Sequence, residues 1–420
     1  MCRGCTQDRS PVTVPASLTK PAGRAAAFRK RSMAQRTVTS IESEIELFMS
    51  KCSLLASFED EESCVAKFHR SEIEVGELLG KGAFSEVYQV KAVNPCFEHE
   101  SEDEENLRCV VHQACEAQCN DDADQFIVKH LRPELLTQRT AFNNAAADLV
   151  LEAKFLAALE HPNIIKIHGW AANGASSYND GSHDGFFIIL EQLDDILSTR
   201  ISRWRRDPSC APSLEQRLEY ATQIACALQY LHSENIIYRD LKCDNIGFKD
   251  GAIRLFDLGL CRELPENSSR DDKFLMSGVG TLRYVAPEIV LGTGYNLGAD
   301  VYSFSIVLYE LLALAKPFDL YNIGMYKMLV CEDGERPQLD ASSFLPQELQ
   351  TLITSMWDTE SSRRPTMDQI HSQLYDIQNK ASPGALKSLF SFPKRLVRMA
   401  TGSFSEGTST TVTSAASLNK

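Results

Sequence analysis

Six short stretches of this chain carry residue types suited to chemistry on a polyphosphate. Lys129 lies in Ile127-Val128-Lys129, an ammonium set mid-strand among apolar neighbours, where it needs an anion to offset desolvation. Glu152, on the helix-patterned stretch 148–159, is its natural partner. Further on, Tyr238-Arg239-Asp240-Leu241-Lys242-Cys243-Asp244-Asn245 reads as a short polar loop between a long helix ending near Glu234 and the strand-like residues 246–248. Phe256-Asp257-Leu258-Gly259 and then Thr281-Leu282-Arg283-Tyr284-Val285-Ala286-Pro287-Glu288 follow it. Upstream of all these, Leu79-Gly80-Lys81-Gly82-Ala83-Phe84-Ser85-Glu86-Val87 joins two strand-like runs. Glycines there let backbone amides approach a polyphosphate with no Cβ in the way. Alone, a glycine pair in a hairpin is only a turn, and Ser85 occupies the third position of GxGxxG.

The elements that must position these groups come in two blocks. Glu72 to Val90 alternates like strands around the glycine pair, Phe126 to His130 reads as another strand, residues 141–160 have helical periodicity, and strands follow near Ile164 to Gly169 and Phe186 to Glu191. After Leu193 the pattern is mostly helical, over Ser213 to Glu234, Gly298 to Ala315, Pro346 to Trp357 and Thr366 to Asn379. Strands first and helices later predict an α+β fold in two lobes, a small β-rich one followed by a larger α-helical one.

In this order, the motifs resemble the eukaryotic protein kinase family, serine/threonine type, over Phe68 to Asn379. Segments 280–288 and 300–304 look most like its tyrosine-kinase-like group. The resemblance implies a bilobal kinase fold, ATP and Mg²⁺ as cofactors, and protein substrates with Ser/Thr acceptors. It implies that Lys129, held by Glu152, contacts the α and β phosphates, that Asn245 and Asp257 ligate Mg²⁺, that Asp240 accepts the hydroxyl proton, and that Lys242 neutralises the transferred phosphate. Leu79, Gly80, Gly82, Val87 and Val128 would enclose the nucleotide, with Glu191 and Leu193 bonding adenine through their backbones and Leu190 guarding the back pocket. Asp300 would hold the catalytic loop, and Arg364 would pair with Glu288. Arg239 is expected to meet a phosphate placed by an upstream kinase on Ser268, Ser269 or Ser277 of the 257–288 loop; the competing expectation is that it orders the loop through carbonyl contacts. Tyr238, Leu258, Ser85 and Ser305 depart from the commonest family pattern, and a kinase-shaped scaffold without phosphotransfer is the alternative function.

Composition sets the surroundings. The 420 residues carry a net charge of −14, which argues against a protein whose main task is gripping nucleic acid. Residues 1–67 form a basic, largely disordered extension with a short amphipathic helix after Ile41 that docks on the main domain or on a partner. The kinase domain spans 68–379, with an N-lobe at 68–191, an acidic insert at 93–124 read as solvated and unable to bury a core, and a C-lobe at 194–379. A Ser/Thr-rich tail occupies 380–420, where the basic and apolar residues of 386–399 suggest either docking or loose order. The 13 cysteines, with no apolar leader before them, read as reduced thiols of a cytoplasmic protein, the basic N-terminus leaving nuclear or organelle targeting open. No apolar run is long enough for a transmembrane segment. Cys109, His112, Cys115 and Cys119 have residue types that suit zinc at a spacing of no common module, and Cys243 and Cys261 flank the loop motifs as candidate oxidant sensors.

Overall fold

The computed structural model describes residues 41–43, 45–46, 52–56, 65–96, 102–117, 125–265, 268–269, 271–276, 280–339 and 345–381. Its N-terminal half is built on a six-stranded sheet in the order β1-β5-β6-β4-β3-β2. The strands are β1 (Ala66–Phe68), β2 (Ile73–Lys81), β3 (Ser85–Val93), β4 (Phe126–Leu131), β5 (Ile167–Ala171) and β6 (Phe187–Glu191). All neighbours run antiparallel except β1 and β5, so the sheet is mixed. Below it the chain is helical, with α4 (Leu197–Arg206), α5 (Leu214–Ser233), α6 (Pro287–Leu291), α7 (Gly298–Ala313), α8 (Gln347–Met356) and α9 (Met367–Ala381). Every residue of α7 from Ala299 to Leu312 is buried, as suits a mostly apolar helix at the centre of a lobe. Ser213 starts α5 by accepting the Gln216 N–H at 3.2 Å, a satisfied N-cap. Among the described residues no helix is long and apolar enough to cross a membrane.

Two expectations are corrected here. The acidic insert is not uniformly solvated: residues Glu102–Ala117 form helix α2, with Arg108, Val111 and Cys115 buried. Its four acids crowd the first turn, where the helix dipole favours them, and Glu104 accepts the backbone N–H of Lys67 at 2.6 Å. Arg108 is paired with buried Glu72, which also takes the N–H of Cys96 at 2.6 Å. Read as composition, the segment looked solvated; its helical stripe of Leu107, Val111 and Cys115 supplies the apolar side. The folded unit also begins before Phe68. Strand β1 starts at Ala66, and Ile41, Ile45, Cys52 and Leu55 are buried in the core. The short helix α1 (Ser53–Ala56) packs on the long helix α3 (Arg139–Ala158), so this segment docks on its own domain. Residues 1–40 and 382–420, with the basic stretch at 386–399, lie outside the described residues.

Candidate active site

Strand β4 and helix α3 bring together the first two charged groups. Alternation along β4 puts Ile127 and Lys129 on one face and Phe126, Val128 and His130 on the other, which is buried. Lys129 Nζ donates to Glu152 Oε2 at 2.7 Å and Oε1 at 2.9 Å, and to Asp257 Oδ1 at 2.9 Å. Burial works against this ammonium, but the Asp257 and Glu152 carboxylates outweigh it and hold Lys129 above the usual lysine range. One cation facing two carboxylates leaves an excess negative charge, and the more enclosed acid bears the consequence: burial pushes Glu152 up to about 7. Asp257, half-exposed in the cleft, is held low by Lys129.

The second cluster lies on the loop between β7 (Ile236–Ile237) and β8 (Ile246–Lys249). Asp240 has both oxygens engaged: Oδ2 lies 2.5 Å from Lys242 Nζ and 3.2 Å from Asn245 Nδ2, and Oδ1 accepts from Thr281 Oγ1 at 3.1 Å. Buried Asp300, at the start of α7, accepts the backbone N–H of Tyr238 at 2.8 Å and of Arg239 at 2.9 Å, fixing the loop from beneath. Arg239 and Asp257 both adopt left-handed φ values, +76° and +67°, conformations that persist only where the surroundings over-determine them. Tyr238, in place of histidine, donates its hydroxyl to the carbonyl of Phe256, tying this loop to the Asp257 segment.

Several expectations change. Val128 is fully buried on the face opposite Lys129, so it cannot line the cleft; Ile127, two residues from Lys129 and on its face, takes that place. Period-two alternation in the sequence would have found it. Arg239 is buried, its Nε bonded to Tyr295 Oη at 2.9 Å and one terminal nitrogen to the Leu260 carbonyl at 3.2 Å, contacts of the loop-ordering kind. Ser269 is exposed and Ser268 half-buried, while Ser277 lies outside the described residues. Cys243 and Cys261 are fully buried, and burial raises both thiols far above the usual range, which removes them as oxidant sensors. His112 Nδ1 lies 2.6 Å from the Val93 carbonyl, and no group of three potential ligands able to hold a metal ion occurs among the described residues; Cys119 is outside them.

Glu191 and Leu193 lie where the chain leaves strand β6 for the helical part. Glu191 spends its N–H on Lys166 O at 3.2 Å and its carboxylate on Arg254 and the Lys166 N–H. Leu193 makes no backbone hydrogen bond within the described residues, so both its donor and its acceptor are unspent. Its side chain lies so close over Gly247 that a Cβ there would sit 2.4 Å from Leu193 Cδ1. Glycine inside a strand marks such close approaches, and this signal was present in the sequence. Leu79 is exposed, Gly80 pairs with Val87, and Val87 stands opposite Lys129.

A family model described as the protein kinase domain matches residues 110–375. That match starts inside the acidic insert, so the glycine-rich hairpin joins the fold through its pairing with β4. The chain is 29% identical to cyclic GMP-binding protein C of Dictyostelium discoideum over 76% of its own length and 11% of that protein. It is 29% identical to the probable serine/threonine-protein kinase gdt4 of the same organism over 54% of its length and 13% of that protein. Over 80% of its length and 35% of the other, it is 26% identical to the putative ribosomal protein S6 kinase alpha-1 of Caenorhabditis elegans. The chain thus spans from about a tenth to about a third of these relatives. With a matched domain over more than half its residues, a mixed-sheet N-lobe and a helical C-lobe, the chain belongs to the protein kinase domain family.

Proposed function

We propose that this chain is a protein serine/threonine kinase that transfers the γ-phosphate of ATP to hydroxyls of protein substrates. One observation carries the reading: Lys129, Glu152 and Asp257 converge within 2.9 Å contacts, and Asp240, Lys242 and Asn245 form a second mutually bonded cluster. Lys129, locked by Glu152, binds the α and β phosphates; the lid from Gly80 to Val87 covers them. Leu79, Val87 and Ile127 enclose adenine, which bonds the Glu191 carbonyl and the unspent backbone groups of Leu193. Asp240 orients the incoming hydroxyl and accepts its proton. Lys242 offsets the charge on the phosphate that moves.

The residues suit magnesium. Asn245 spends its Nδ2 on Asp240 and keeps its amide oxygen, and Asp257 keeps one oxygen beyond the Lys129 contact, two hard donors of the kind this ion selects. When bound there, Mg²⁺ supplies positive charge to phosphate oxygens. Serine/threonine acceptors are supported by Lys242 and Thr281, the two residues that resemble that class and that both bond Asp240. Segments 280–288 and 300–304 support a place nearest the tyrosine-kinase-like group. Phosphorylation of the 257–288 loop by an upstream kinase remains part of the proposal, with exposed Ser269 and half-buried Ser268 as acceptors. It must act by drawing Arg239 off Tyr295. The described cysteines are all free thiols, which supports a reducing, cytoplasmic compartment.

The test is radiolabel transfer from γ-labelled ATP to a generic basic protein, followed by phosphoamino-acid analysis. Label on serine and threonine, lost in Asp257→Ala and Asp240→Ala, is the expected result. ATP binding without transfer by the wild type would leave only a scaffold.

A further inference from the structure

The lid over the phosphate site is held by a side chain that no role above uses. Arg132 follows β4, three residues after Lys129 and therefore on the opposite face of the sheet. Its backbone N–H donates to the Phe84 carbonyl at 3.0 Å, extending the β3–β4 ladder by one residue to the lid tip. From the face opposite Lys129 its guanidinium donates to the Gly82 carbonyl at 3.2 Å and the Ala83 carbonyl at 3.3 Å, and its Nε reaches Glu134 at 3.3 Å. Glu134 also accepts from Lys81 at 3.2 Å, and Lys81 lies 2.7 Å from Glu86 on the same side. One terminal nitrogen of the guanidinium thus holds two successive lid carbonyls, while Nε, fixed in the same plane, is tied to Glu134.

The consequence follows from peptide geometry. In a trans peptide the C=O and the next N–H point in opposite directions. With the carbonyls of Gly82 and Ala83 turned to Arg132, the N–H groups of Ala83 and Phe84 turn to the other face, the one that carries Lys129. Neither N–H makes a hydrogen bond within the described residues, whereas Gly82 N–H is spent on Ser85 O at 2.8 Å. Adjacent unspent amides in a turn form a concavity suited to an anion.

We propose that Arg132 is a positioning residue for phosphate binding: by holding the Gly82 and Ala83 carbonyls from outside, it aims the Ala83 and Phe84 amides at the nucleotide phosphates. This rests on the kinase reading above and adds a residue to its machinery. Glu134 is the anchor that keeps the guanidinium at the lid.

The experiment compares the full chain with Arg132→Ala, Arg132→Lys and Glu134→Gln, each checked by thermal melting. Calorimetry measures affinity for a non-hydrolysable ATP analogue with Mg²⁺ and, separately, for adenosine. Arg132→Ala is expected to weaken the ATP analogue by about tenfold while leaving adenosine within about twofold, because only the phosphates read the lid amides. Arg132→Lys restores part of the loss, and Glu134→Gln loses about threefold, in a background that keeps Arg132 and covers the case of a poorly folding alanine variant. An unchanged ATP-analogue affinity in Arg132→Ala, or equal losses for both ligands, overturns the proposal while leaving the kinase reading intact. Wild type that binds neither ligand overturns both.

Discussion

Two buried ion pairs of similar chemistry do opposite jobs in this molecule. Arg364 meets Glu288 in a fork at 2.6 and 2.9 Å, with both side chains almost wholly enclosed, and two further donors are taken by the carbonyls of Gly298 and Asp358. One positive charge meets one negative charge and four guanidinium hydrogen bonds hold the side chain, so the pair behaves as a rivet between α6, the start of α7 and the segment before α9. Lys129 and Glu152 are also buried, yet the same lysine is shared with Asp257, whose side chain is 44% exposed. That second acid opens the cluster to the cleft and leaves its charge unbalanced. A sealed, saturated pair holds a fold; an unsaturated pair at a cleft edge is ready to meet another charged group.

Breaking the rivet should have the largest effect. Glu288→Ala strands a buried guanidinium and is expected to cost about 3–5 kcal/mol of stability, read by denaturant unfolding. A loss under about 1 kcal/mol would erase the contrast. Lys129→Met comes next, with phosphate transfer falling by about 10²–10³-fold as for removal of a preorganised cationic donor. Its melting temperature should barely move, because Glu152, already pushed up to about 7 by burial, can take a proton once its partner is gone. Equal damage to folding by both substitutions would show that the pairs are the same kind of object.

The pH response is a subtler discriminator. Glu152 binds its proton more tightly in the fold than its ordinary value of 4.5, so its contribution to stability is fully present below that value and is lost as pH rises through about 7. Activity needs the ionised carboxylate against Lys129 and should run the other way, with kcat/KM falling as pH drops through about 7. In Glu152→Gln the residual rate should lose that inflection; an unchanged profile would assign it to another group. The smallest effect concerns thiols. Iodoacetamide on the native chain should label exposed Cys96 and Cys210 and spare Cys243 and Cys261, with peptide mass spectrometry as the readout. Rapid labelling of Cys243 would mean that the core around Glu310 opens readily.

Motif spacing singled out Lys129, Asp240, Asn245 and Asp257 before any coordinates, and the fold sets Lys129 against Asp257 and Asn245 against Asp240. The helices of the C-lobe were readable to within one or two residues at most ends, as at Leu214–Ser233 and Gln347–Met356, because their apolar faces repeat at the helical period. Val128 was misplaced by nearness in sequence to Lys129, although strand alternation puts neighbours on opposite faces. Helix α2 was obscured by its own first turn of acids, which composition counts as solvation and the helix dipole uses.

What the order of residues determined by itself is therefore the chemistry and the local periods: which groups can carry charge, bind oxygen or stack into helices. Tertiary structure alone decided which partner each charged group meets. Arg239 meets Tyr295, far along the chain, and Arg132 acquired a role only because β4 ends beside the lid. The physical reason is that an ion pair or a hydrogen bond depends on separations of about 3 Å between groups distant in sequence. No local pattern encodes such distances; packing of the whole domain does.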